Sequence, residues 1–96
     1  MADTITAKEL MSQKNDFVII DVRELDELEL GIIEDSIHMS LGLCIRNVKK
    51  KQIEEMKEKK ICTYCGTGYR GNIAADELSK AGFYAVTLEG GYSNWM

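Results

Sequence analysis

Three stretches of the chain are rich in apolar residues with β-branched members, and polar segments with helical spacing separate them. The run Phe-Val-Ile-Ile at 17–20 reads as a strand buried on both faces, the kind found inside a parallel sheet. Lys-Ile-Cys-Thr-Tyr-Cys at 60–65 predicts a second buried strand, and Phe-Tyr-Ala-Val-Thr-Leu at 83–88 a third that ends in Glu-Gly-Gly. A shorter strand is expected within 35–40.

Helix signals fall between these runs. Thr6 and Glu9 have the spacing of a capping box, with Ile5 and Leu10 placed as a hydrophobic staple, so a helix is expected over 7–14. Residues 24–31 predict a short helix with Leu25 and Leu28 on one face and Gly31 as its stop. The lysine-rich stretch 48–60 predicts a solvated helix with Ile53 and Met56 turned inward. A further helix is expected over 70–81, with Ala74, Leu78 and Ala81 in phase and Gly82 at its C-terminal cap. Alternating strands and helices imply an α/β fold with a mainly parallel central sheet flanked by helices. Its chemistry is expected beyond the carboxyl ends of the strands, in the loops 21–24, 65–71 and 89–92.

Ninety-six residues suffice for one small domain over 1–96. The net charge of −4 argues against nucleic acid as the main partner, and an anionic substrate would have to be attracted locally. No basic-then-apolar leader is visible at the N-terminus, and no apolar run could span a bilayer. Three cysteines make no paired disulfide framework, so a reducing, cytoplasmic setting is expected.

The chemistry concentrates in Cys65-Gly66-Thr67-Gly68-Tyr69-Arg70-Gly71. Cys65 falls where a strand stops. Gly66 and Gly68 free the backbone to curl, and the unpaired N–H groups of the next helix face the same space. Such a cradle favours a thiolate over a thiol and stabilises negative charge on atoms attached to the sulfur. Arg70 adds a fixed cation and a planar set of donors. Cys44 and Cys62 read as small buried hydrophobes, and His38 as structural. Cys62-x-x-Cys65 could form a redox dithiol, but Cys62 falls inside a strand. A zinc site would need His38, Cys44, Cys62 and Cys65 together, and their spacing lacks two matched short pairs, so no metal is expected.

The loop, together with Asp21-Val22-Arg23-Glu24, the acidic pair Asp26 and Glu27, Gly31, and the closing Gly90, Gly91 and Trp95, resembles the single-domain rhodaneses, thiosulfate sulfurtransferase-like proteins. The likeness runs over nearly the whole chain. Leu28 stands where the family usually has an aromatic, and Ile32, Glu34 and Asp35 replace a usual His, Pro and Gly. Gly66 and Gly71 occupy positions where Arg and Ser are frequent, leaving Arg70 as the only charged side chain of the loop. The resemblance implies a three-layer rhodanese-like fold and a double displacement through a Cys65 persulfide, with no cofactor. Gly66, Thr67, Gly68, Tyr69 and Arg70 would bind the substrate. Thiosulfate or a persulfide, small or protein-borne, would supply the sulfur, and cyanide or a thiol would accept it. A sulfur-carrier or interaction domain with the same loop is the alternative. Related phosphatases and arsenate reductases use a longer Cys-x5-Arg loop, whereas four residues separate Cys65 from Arg70 here.

Overall fold

The computed structural model describes residues 2–95. Five strands form one sheet in the order β1-β5-β4-β2-β3, and every neighbouring pair is parallel. They are β1 Asp3–Ile5, β2 Phe17–Asp21, β3 Ile37–His38, β4 Lys60–Tyr64 and β5 Tyr84–Leu88. The central pair runs in register from Phe17 opposite Lys60 to Asp21 opposite Tyr64, so both strands end side by side where the loops of interest begin.

Side chains alternate across the sheet and build two cores. Ile20, Ile61 and Ala85 face one side, against Cys44 of helix α2 (Leu41–Lys49) and Ala74, Ala75 and Leu78 of helix α3 (Tyr69–Lys80). Ile19, Cys62, Tyr64 and Leu88 face the other, against Leu10 of helix α1 (Ala7–Gln13). The result is three layers with the sheet in the middle. Helix α1 starts on the expected capping box: Thr6 Oγ1 accepts the Glu9 N–H, while Glu9 Oε1 accepts the Thr6 N–H.

Two expectations need correcting. Helix α2 occupies Leu41–Lys49, whereas a helix was expected over 48–60. Between the end of α2 and the start of β4 the helical structure is a 3-10 turn at Glu54–Glu58. Lys51 has φ 55°, a left-handed conformation that ends the helical path, although Ile53 is buried and Met56 packs on the core as expected. The short helix after β2 is also 3-10, at Leu25–Leu30, and Leu25 is exposed. Strand β1 comes in addition. Among the described residues no helix is long and apolar enough to cross a membrane.

Leu10 is fully buried and is the buried residue that α1 contributes to its side of the sheet. Leu10→Ala should lower the unfolding free energy by about 2–5 kcal/mol, read from urea denaturation.

Candidate active site

Beyond the carboxyl ends of β2, β4 and β5 the three expected loops converge. The first is organised by a buried ion pair. Asp21 closes β2, and two residues later Arg23 folds back on it, with Nη2 2.8 Å and Nε 3.0 Å from the two carboxylate oxygens. The Arg23 N–H also donates to Asp21. Both side chains are about 2% exposed or less. Burial alone would push the Asp21 carboxyl up. The side-chain and backbone hydrogen bonds from Arg23 outweigh that and hold it below the ordinary range.

The remaining guanidinium donors reach forward along the chain. Nη2 donates to the Gly31 carbonyl at 2.7 Å and Nη1 to the Glu27 carbonyl at 3.3 Å, which pins the 3-10 turn over the sheet end. The guanidinium carbon lies 4.7 Å from the Tyr92 ring centre and 5.4 Å from that of Tyr64. Tyr64 is buried, and its hydroxyl accepts the Ile33 N–H and meets Ser36. His38 Nε2 lies 2.8 Å from the Arg23 carbonyl.

The second loop holds the nucleophile candidate. Cys65 follows β4 directly and is only 1% exposed, so its sulfur lies beneath the loop rather than on the open surface. The Gly68 N–H donates to Cys65 Sγ at 3.1 Å. Gly68 has φ 111°, which other residues rarely adopt, and it is the N-cap of α3. The first N–H groups of α3 therefore begin at Tyr69 without intrahelical partners. Thr63 Oγ1 donates to the Gly71 carbonyl at 2.7 Å and fixes the helix start to β4. A Cβ on Gly71 would come within 2.6 Å of Thr87 Oγ1 and 3.2 Å of Tyr64 Cα, so any larger residue here requires Thr87 to shift.

The third loop braces the second. The Tyr92 and Ser93 N–H groups donate to the Cys65 and Gly66 carbonyls at 2.7 and 3.1 Å. Gly91 permits this approach: a Cβ there would lie 2.5 Å from the Cys65 carbonyl oxygen.

The residues expected to bind substrate are thus gathered in one loop, but Arg70 is not free as expected. Its Nη1 and Nη2 donate to the two Glu27 oxygens at 2.5 and 2.7 Å, a bidentate pair about 30% exposed on each side. The Arg70 hydrogen bonds hold the Glu27 carboxyl at about 2, and Arg70 is pushed up chiefly by Glu27, with smaller contributions from the charges of Cys65 and Glu24. Glu27 entered the sequence reading only as half of an acidic pair. Its spacing gave no sign that it would meet Arg70, 43 positions on. Tyr69 is exposed at the loop and Thr67 is also at the surface.

The other cysteines are placed differently. Cys44 lies in α2 and Cys62 within β4, and burial pushes their thiols up to about 11 and about 12. Both are therefore thiols at neutral pH. Among the described residues no three His, Cys, Asp or Glu side chains come together as a metal-holding group, so the Cys3His set is not assembled.

Asp21 and Glu27 both have folded values below their ordinary ones. Their ionisation therefore supports folding above the usual carboxylate range, and that support is lost as the pH falls through the folded values. The urea midpoint should drop between about pH 5 and about pH 2. Arg23→Met should cost about 3–5 kcal/mol at neutral pH, because it strands a buried carboxylate. That deficit should shrink in acid, where protonating Asp21 removes the stranded charge.

Comparison with known proteins places this geometry. The Rhodanese-like domain model matches residues 4–96. The thiosulfate sulfurtransferase GlpE of Coxiella burnetii is 33% identical over 84 residues, covering 86% of this chain and 75% of its own. YtwF of Bacillus subtilis is 29% identical over 92 residues, covering 96% of this chain and 85% of its own. The crystal structure of a rhodanese-related protein from Thermoplasma volcanium superposes with a TM-score of 0.83 at 31% identity, over 97% of this chain and 89% of that one. A sheet with this loop at its carboxyl edge, matched over nearly its full length, makes this chain a member of the rhodanese-like family.

Proposed function

We propose that the protein is a sulfurtransferase that carries sulfane sulfur on Cys65. The observation that carries this reading is the Gly68 N–H held 3.1 Å from Cys65 Sγ by a left-handed glycine. A donor aimed at the sulfur stabilises a thiolate, and the open N–H groups at the start of α3 suit the anion one atom further out. The named activity of the GlpE relative is of the same class.

In the first half-reaction the Cys65 thiolate attacks the sulfane sulfur of the donor. The bond from that sulfur to the rest of the donor breaks, and its electron pair leaves with the donor remnant: sulfite from thiosulfate, a thiolate from a persulfide. Cys65 is left as a persulfide. In the second half-reaction an acceptor nucleophile, cyanide or a thiolate, attacks the terminal sulfur and the Cys65 thiolate departs. Neither half needs a general base, provided that the nucleophile starts as an anion. Gly66, Thr67, Gly68, Tyr69 and Arg70 form the wall that the donor meets. The four-residue interval before Arg70 suits one sulfur atom better than the wider loop that surrounds a phosphate or arsenate. A carrier that exchanges sulfur with protein partners would use the same first half-reaction.

Treatment with thiosulfate, or with a persulfide donor, should add one sulfur to the intact mass, and cyanide should remove it. Cys65→Ser should abolish the gain, whereas Cys44→Ala and Cys62→Ala should keep it. Persistent loading of the Cys65→Ser protein would refute the assignment. Turnover with thiosulfate and cyanide, compared with loading from a persulfide-bearing protein, separates enzyme from carrier.

A further inference from the structure

The loop's one charged side chain is already spent. Arg70 offers its planar donors edge-on to Glu27, and both oxygens of that carboxylate are used. The other guanidinium nearby, Arg23, is buried and bound by Asp21, Glu27 and Gly31. Each guanidinium already holds a carboxylate, so neither carries an uncompensated charge toward a donor. The acidic side chains at the loop's edge add charge of the opposite kind: Glu27 lines that edge, and Glu24 lies near enough to act on Arg70.

Beside the loop lies a cavity of about 270 Å³, lined by Arg23, Glu27, Leu30, Gly66, Tyr92 and Ser93. Leu30 is 78% exposed at its edge, and Leu25 and Tyr69 are exposed to a similar degree. Single exposed apolar residues are ordinary, but here three belong to the two segments that frame the mouth of the loop. An inorganic dianion gains little from such walls and is repelled by the acidic rim. An uncharged organic body gains contact with Leu30 and Tyr92.

We propose that Glu27 is a specificity-determining residue: by holding Arg70 in a bidentate pair at the cavity edge, it withholds the loop's cation and turns Cys65 toward sulfane sulfur carried on an uncharged, apolar body and away from inorganic dianions. This rests on the sulfurtransferase reading above. The transfer is balanced as before. The thiolate attacks the outer sulfur of R–S–SH, the S–S bond breaks, R–S⁻ leaves, and the proton stays on the new Cys65 persulfide until it ionises.

Glu27→Gln keeps an oxygen to accept the Glu24 N–H, removes the charge, and puts an NH2 donor in place of the oxygen that accepts from Arg70 Nη2, so the bidentate pair is broken. Single-turnover loading of Cys65 is measured by intact mass with thiosulfate and, separately, with butyl hydropersulfide. In E27Q the ratio of the thiosulfate rate constant to the hydropersulfide rate constant should rise about tenfold, the lower end of what local charge steering supplies. Thiosulfate loading should also begin to fall with ionic strength, as attraction to an uncovered cation is screened. The double variant E27Q/R70Q should lose both gains, because the cation that was uncovered is gone. A ratio that stays level or falls in E27Q, with Cys65 still loading, overturns the role of Glu27 and leaves the sulfurtransferase reading standing. Failure of both donors to load Cys65 in the wild-type protein overturns both.

Discussion

A carboxylate and a guanidinium buried together at the end of β2 hold the working face of the molecule in place. Taking either charge out of water alone would be costly, and their mutual attraction offsets that cost only when the remaining donors are also satisfied. Here they are. Asp21 uses three donors of Arg23, and the guanidinium spends the rest on carbonyls of Glu27 and Gly31. The carbonyl bond at Glu27 fixes the backbone of the residue whose side chain reaches Arg70. Tyr92, stacked near the same guanidinium, donates its N–H to the Cys65 carbonyl. One ion pair thus touches all three loops within a few bonds, which is why the polar centre lies at the sheet edge rather than on an outer helix.

Close approach is the second constraint. The Cys65 loop lies against the turn after β5 so tightly that Gly91 has no room for a Cβ, and Gly71 lies just as tightly against Thr87 and Tyr64. Gly68, by contrast, is needed for its backbone angle, with its nearest neighbours in ordinary contact. Similar glycines around the cysteine loop therefore answer to different physics: Gly71 yields space, Gly91 yields space and a left-handed backbone, and Gly68 supplies the conformation that aims an N–H at sulfur.

The strands that the sequence made plain were those buried on both faces. Residues 17–20, 60–64 and 84–88 are all dominated by apolar and β-branched residues, which suits a central parallel strand. Strand β1 was not legible, because three residues, two of them polar and exposed, carry almost no periodic signal. Helix α2 carries a legible signal that the charged run beside it masks. Leu41, Cys44, Ile45 and Val48 keep helical spacing, but the charged run after them drew the helix too far along the chain. The loop motif placed Cys65 and its glycines correctly at a strand end before a helix. The fate of Arg70 could not be read in the same way, since its partner is set by where the 3-10 turn docks, and that depends on Arg23.

Electrostatics at the site is accordingly local in a strict sense. The chain as a whole is acidic, with a net charge of −4, and it offers no field to gather anions. Side-chain cations near the sulfur are cancelled in pairs, Asp21 with Arg23 and Glu27 with Arg70. The positive potential left for an anionic sulfur is that of backbone N–H groups such as Gly68 N–H, which no change of side chain can neutralise. Such groups act over a few ångströms. They stabilise charge on Cys65 and on the atom bonded to it far better than charge on the remainder of a donor. On the proposed reading, such a site discriminates among donors by what surrounds the transferred sulfur, and Leu30, Tyr92 and Glu27 join Gly66 of the cysteine loop in lining the cavity where those surroundings would lie.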